Sequence, residues 1–289
     1  MLVLFTDTDT DLTLEEAKKY GYKMISMPYI VDGKEVKPYV DFEVFDSKTF
    51  YDSLRKGVLP TTCALNSEEY RMYFEEELKN GNDILYVHFS RAMTCTFDNM
   101  DIAIRELKEL YPERNIYTID TKAITICSLN IVKEVAEMHK QGKTVEEILD
   151  WADKEVDHYA QYFYADNLKF FKKSGRVSNF AGLMGDLIGI KPIIHMSQEG
   201  TMVNVAKVKG RMKALQALVN YMVELGDDVA NHRIIIGHSD SLEIAKVLEE
   251  MIREKFGNNL NIEYALVNPT AGSHCGPDGV GVSFHCKHR

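Results

Sequence analysis

The densest run of residues able to do chemistry lies near the end of this 289-residue chain, Asn268-Pro-Thr-Ala-Gly-Ser-His-Cys-Gly-Pro-Asp-Gly-Val-Gly-Val-Ser-Phe284. Glycines 272, 276, 279 and 281 and prolines 269 and 277 surround a single histidine, His274. Glycine adopts positive φ and lets backbone N–H groups approach a ligand. A histidine in such a turn can donate to an anion, so the run could grip a carboxylate or phosphate. A second reading is a hairpin between the strand-like runs 262–267 and 280–284, its glycines serving only the turn. Two basic clusters, Lys172-Lys173-Ser174-Gly175-Arg176 and Lys207-Val208-Lys209-Gly210-Arg211, read as solvated loops, as an anion clamp, or as a docking spot for an acidic partner. Arginine suits the sharper roles because its guanidinium offers forked donors.

At the other end, Thr6-Asp7-Thr8-Asp9-Thr10 follows an apolar strand with the DxDxT spacing of haloacid-dehalogenase-type phosphatases. That chemistry would use Asp7 and Asp9 as nucleophile and acid/base, with a downstream acidic pair holding Mg²⁺. Asp227-Asp228 is such a pair, yet it follows a helical run and not a strand end. A solvated Asp-rich turn is the plainer reading. Ser90, Asp7 and His274 are the residue types of a hydrolase triad, but no G-x-S-x-G elbow accompanies them. The five cysteines (63, 95, 127, 275 and 286) form no CxxC pair and no zinc spacing. They read as free thiols, and no metal site follows from them.

The elements that must position these groups alternate strand and helix over the first half. Apolar strands at 2–5, 25–31, 84–89 and 116–119 are separated by helices over 14–20, 48–56, 68–79, 97–110 and 123–139. Thr13 with Glu16 forms a capping-box pattern, and Ser47, Asn66 or Ser67, and Thr144 are further N-caps. Such alternation predicts a doubly wound parallel sheet, with ligands beyond the carboxyl ends of its strands. A helix from 145 to about 159 closes this half. Strands at 161–165, 191–196, 202–208, 233–238, 262–267 and 280–284, with helices over 168–173, 179–187, 211–225 and 242–256, then predict an α+β second half.

Composition narrows the function further. A formal charge of −10 argues against a broad nucleic-acid footprint, which needs a basic surface. No apolar run approaches the ~18 residues of a membrane span. The start, Met1-Leu-Val-Leu-Phe-Thr-Asp7, lacks a basic leader and reads as a first strand, which places the protein in the cytoplasm.

Six blocks, in order along the chain, resemble the DegV family of bacterial fatty-acid-binding proteins, the type that serves as the lipid-carrying subunit of a fatty acid kinase. They are Thr6 to Leu12; Pro60-Thr-Thr-Cys-Ala-Leu-Asn66; Ser90 to Phe97; Ile119-Asp-Thr-Lys122; Lys172 to Ser178 with Gly189-Ile-Lys-Pro192; and His274-Cys-Gly-Pro277 with Gly279 and Gly281. The resemblance implies two α/β domains, here 1–158 and 159–289, with a lipid tunnel between them. It implies that Thr62 and Thr94 hydrogen-bond a fatty acid carboxylate with His274 nearby and Arg176 beside the head group. Cys63, Cys95, Gly276 and Gly279 would belong to the supporting loops. Met184, Leu187 and Ile188, in the helix after Arg176, are the candidate tunnel wall. The function implied is a non-catalytic carrier without cofactor or metal. It would present a palmitate- or oleate-like acid to an ATP-dependent kinase subunit that makes acyl phosphate for phospholipid metabolism, with no nucleic acid and no stable membrane insertion. Two departures stand out. Cys95 occupies the glycine of the family's common L-S-G-T-Y block, and Asp278 adds a negative charge that we expect to face away from the carboxylate. Each buried methylene contributes ~0.8 kcal/mol, against ~0.5–1.5 kcal/mol for a neutral hydrogen bond. The acyl chain should therefore supply most of the affinity and the polar groups the orientation.

Overall fold

The structure, a computed structural model, describes residues 1–178 and 189–289. The expected helix over 179–187 and the wall residues Met184, Leu187 and Ile188 lie outside the described residues. The first half contributes strands β1 (Leu2–Asp7), β2 (Tyr22–Ile25), β3 (Tyr29–Val31), β4 (Lys34–Val36), β5 (Thr61–Thr62), β6 (Asp83–His88) and β7 (Ile116–Asp120). Its helices are α1 (Leu14–Tyr20), α2 (Ser47–Arg55), α3 (Ser67–Lys79), α4 (Thr96–Leu110), α5 (Ile126–Lys140) and α6 (Val145–Glu155).

Four of these strands form an all-parallel sheet in the order β2-β1-β6-β7. The central strands β1 and β6 are buried on both faces and largely apolar, whereas the edge strands β2 and β7 expose Lys23 and Thr118. Leu4 and Leu85 pack with Ala17 of α1 and Leu129 of α5. Their neighbours Phe5 and Tyr86 point the other way, onto Phe74 of α3 and Met100 of α4. Capping boxes at Thr13/Glu16, Asn66/Glu69 and Thr144/Glu147 open α1, α3 and α6. Asp46, and not Ser47, caps α2, accepting from Thr49 N.

The run expected as one strand over 25–31 is a strand only at 29–31, and the parallel-sheet strand, 22–25, was not expected. β2 ends at Ile25, and β3 joins a separate small sheet ordered β4-β3-β5. Pro28 sits at the break, where its missing N–H cannot serve a ladder. The last helix of this half also stops earlier than expected, at Glu155, because Tyr159 already pairs with His285 in the second sheet.

That second sheet is built from β8 (Tyr159–Tyr164), β9 (Val177–Ser178), β10 (Ile190–Met196), β11 (Met202–Lys209), β12 (Ile234–His238), β13 (Ile262–Leu266) and β14 (Val280–His285). They lie in the order β13-β12-β14-β8-β10-β11-β9, with α7 (Lys169–Ser174), α8 (Arg211–Leu225), α9 (Leu242–Phe256) and α10 (Pro269–Cys275) as connections. β13 and β14 are not a hairpin: β12 lies between them, parallel to β13 and antiparallel to β14. The residues read as a turn form helix α10, with Asn268 as N-cap and Pro269 in its first turn. Proline there loses nothing, since the first N–H groups of a helix have no intrahelical partner. α5 is buried along most of its length and joins the two sheets in one core, where Leu4 and Leu85 share a cluster with Ile194 and Ile235. Lys133 of α5 reaches Glu16 at 2.8 Å and Glu263 at 2.6 Å, an ionic tie across the same seam.

Candidate functional site

The Asp-rich turn is neither solvated nor catalytic. Asp7, Asp9 and Asp11 are all buried. Asp7 Oδ1 accepts from Asp9 N, and Oδ2 accepts from Tyr86 OH and Phe89 N. Both oxygens of the would-be nucleophile are thus occupied in a closed interior. Burial pushes the Asp7 and Asp11 carboxyls up to about 7, although donated hydrogen bonds pull each of them down. Thr6 Oγ1 donates to Val87 O, and Thr8 Oγ1 accepts from Met27 N. The DxDxT spacing therefore builds a knot at the carboxyl end of β1, and the phosphatase reading fails. The triad fails as well, because Ser90 Oγ donates to Gly200 O and His274 meets Thr62.

The knot positions α10. Asp11 Oδ1 accepts from Asn268 N at 2.9 Å and from Asn268 Nδ2 at 2.7 Å, while Asn268 Oδ1 caps Ala271 N. Thr270 Oγ1 donates to Met27 O, which pins the helix to the strand connection that leads toward β3. α10 then presents His274 to Thr62 at the end of β5, with Nε2 and Oγ1 3.0 Å apart. Burial, with Arg176 adding like charge, holds the imidazole down to about 4. At neutral pH this is an uncharged hydroxyl–imidazole pair, fit to bind a polar head group by hydrogen bonds.

A cavity of about 1000 Å³, counted to its open mouth, runs from this pair between the two sheets. Its wall is largely apolar, with Met27, Phe89, Met93, Ile126, Phe163 and Phe171 among the residues on it. Thr62, Cys63, Thr94, Arg176, His274 and Gly279 all border it. Cys95 and Gly276 do not line it among the described residues. Cys95 is exposed at the start of α4, beside Thr94, whose Oγ1 accepts from Thr96 N. Gly276, at φ +76, makes room for a ring: a Cβ there would lie 2.2 Å from Phe170 Cδ2. Asp278 pairs with Arg55 of α2, which holds its charge away from His274. Thr62, Arg176 and His274 also border a second, more polar hollow with Lys173 and Ser273. Of the second basic cluster, Arg211 is tied to Asp166 at 2.8 Å. Sequence reading missed Asp9, Thr125 and Gln161 as cavity residues. Only the Asp9 motif carried any signal, and it pointed to a different chemistry.

A parallel sheet and a larger mixed sheet around an apolar cavity, with a hydroxyl–imidazole pair on its wall, define a mixed α/β protein with an internal site. The family model described as "Uncharacterised protein, DegV family" matches residues 1–287, and the chain belongs to the DegV family. A DegV domain-containing protein of Clostridium perfringens is 35% identical over 283 residues, covering 98% of this chain and 96% of its own. Among solved structures, a stearic-acid-binding protein from Eubacterium ventriosum matches with a TM-score of 0.88 at 20% identity, covering 99% of both chains. DegV from Bacillus subtilis, described as a fatty acid binding protein, matches with a TM-score of 0.83 at 22% identity over 99% of both chains. These likenesses show the fold; another, a DegV family protein from Eubacterium eligens, is loaded with heptadecanoic acid.

Proposed function

We propose that this chain is a non-catalytic carrier of a long-chain fatty acid. The observation that carries the reading is the Thr62–His274 pair, 3.0 Å apart on the wall of an apolar cavity in a DegV protein. Its carboxylate end would lie at Thr62, Thr94 and His274, with Arg176 beside the head group and Cys63 and Gly279 bordering it. The acyl chain would run along Met27, Phe163 and Phe171, with Met184, Leu187 and Ile188 completing the wall. Cys95 and Gly276 would act from outside, through the loops they belong to. The natural division of the chain falls at 158/159, between the element that ends the first lobe and β8.

The carrier presents the bound carboxylate to the catalytic subunit of an ATP-dependent fatty acid kinase, which forms acyl phosphate for phospholipid metabolism. In this reading no cofactor is needed, and the carboxylate itself is the nucleophile. The basic residues Lys173 and Arg176 beside the pair suit a partner that handles phosphate. The setting is cytoplasmic, and no helix among the described residues is long and apolar enough to cross a membrane.

The test uses purified chain loaded with palmitate, mixed with a kinase subunit and ATP. Thr62→Ala combined with His274→Ala removes two neutral hydrogen-bonding groups of ~0.5–1.5 kcal/mol each, and should weaken retention roughly 5- to 100-fold. Acyl-phosphate formation should fall with it. Unchanged retention and turnover would refute the site assignment.

A further inference from the structure

The cavity has a second polar feature, carried by Asp9, Thr125 and Gln161. They come from separate elements, the knot after β1, the residue preceding α5, and β8. Two hydrogen bonds join them: Thr125 N donates to Asp9 O at 2.8 Å, and Gln161 Nε2 donates to Thr125 Oγ1 at 3.0 Å. Asp9 is 5% exposed and Gln161 4%. Asp9 Oδ1 and Gln161 Oε1 are buried with no hydrogen-bond partner among the described residues. Buried polar atoms in folded proteins are nearly always paired, and an orphan is costly. Two orphans on side chains joined through one threonine are therefore informative. Turning the Gln161 amide over exchanges acceptor for donor and leaves as many groups unpaired.

Thr125 itself has φ 53 and ψ −130, a conformation that a β-branched residue rarely adopts. Strain of this sort persists where the surroundings impose it, and it gathers at ligand clamps. The neighbouring wall, Met27, Ile124, Ile126 and Phe163, has no side-chain group to satisfy these oxygens. Nor does a plain acyl chain, which brings only methylenes. A hydroxyl does, since it both donates and accepts. Burial, reinforced by Asp7 and then Asp11, raises the Asp9 carboxyl well above the usual range, against a hydrogen bond from Asn268 that lowers it.

We infer that Asp9 and Gln161 form an internal station for a hydroxyl borne on the acyl chain, so that the cavity selects hydroxylated long-chain fatty acids over unsubstituted ones. In the station the hydroxyl donates to Gln161 Oε1 and accepts from the Asp9 carboxyl. The inference rests on the fatty-acid reading above and deepens it.

The experiment is competitive displacement of a fluorescent fatty acid from delipidated chain by stearate and by a series of hydroxystearates with the hydroxyl moved along the chain. At least one positional isomer should bind about tenfold more tightly than stearate, the worth of satisfying a buried orphan. Gln161→Met should bring that ratio to about one. If stearate binds and no isomer exceeds it, the station holds water at most and the inference falls, while the fatty-acid reading stands. If an isomer is preferred but Gln161→Met keeps the full preference, Asp9 and Gln161 are not the station and the inference again falls. If neither stearate nor any isomer binds, both fall together. The isomer series on unaltered protein can overturn the inference even if the variant does not fold.

Discussion

Thr62 and His274 meet as an uncharged pair, since burial and Arg176 hold the imidazole down to about 4. A carboxylate placed beside it favours the protonated form. Loading with palmitate should therefore move the His274 titration, followed by NMR, upward, and an unmoved titration would place the carboxylate elsewhere. Asp11 gives a second residue-scale expectation, with the opposite sign. Its carboxyl keeps its proton to about 7 in the folded chain, whereas the unfolded chain loses it near 3.8. Folded stability from this group is present at low pH and is lost as pH rises between those values. Asn at position 11 keeps an acceptor for Asn268, suits the left-handed φ of 58, and cannot ionise. Thermal melts of Asp11→Asn should thus lose less stability than the parent between about pH 4 and about pH 7, and equal slopes would contradict the assignment. Thr62 and His274 could be picked out of the sequence because they stand in compact blocks. Asp9, Thr125 and Gln161 could not, because three distant elements bring them together. Asp278 looked misplaced in sequence because its partner, Arg55, lies 223 positions away.

At the scale of elements, α10 decides the site, and it was the element read least well. Its sequence, Pro-Thr-Ala-Gly-Ser-His-Cys, is short and holds few strong helix formers. The helix exists because Asp11 holds its cap and Tyr51 and Phe170 pack against its glycines. The strands β1, β6 and β7 were legible as apolar runs, and α1, α3 and α6 because their caps are local, whereas β2, with Lys23 exposed, was not. The order β13-β12-β14 could not be read, since strand neighbours are set by tertiary packing. Gly276→Ala tests the packing role: it combines a strained φ with a Cβ set 2.2 Å from Phe170. We expect a loss of about 3 kcal/mol in urea unfolding. Gly142→Ala is the control, with a similar φ of +81 and nothing within 4 Å, and should lose only about 1 kcal/mol. Equal losses at the two positions would show that Phe170 gives way and that the ring does not fix α10.

The two larger sheets share one core through α5, with polar ties outside it. Arg55 binds Asp52, Asp240 and Asp278, fastening α2 to the loops that follow β12 and α10. Because Arg55 is partly exposed, Arg55→Met should lower stability by no more than about 1 kcal/mol, and the difference should shrink with added salt. A large, salt-independent loss would mean that the arginine supports packing more than charge. The cavity is lined from both halves of the chain, which is why its wall could not be read from ordered blocks along the sequence. Native mass spectrometry of the purified chain tests the central claim most directly. The expected spectrum shows one long-chain fatty acid per chain, exchangeable for added palmitate. A bare chain that takes up neither palmitate nor oleate would contradict it.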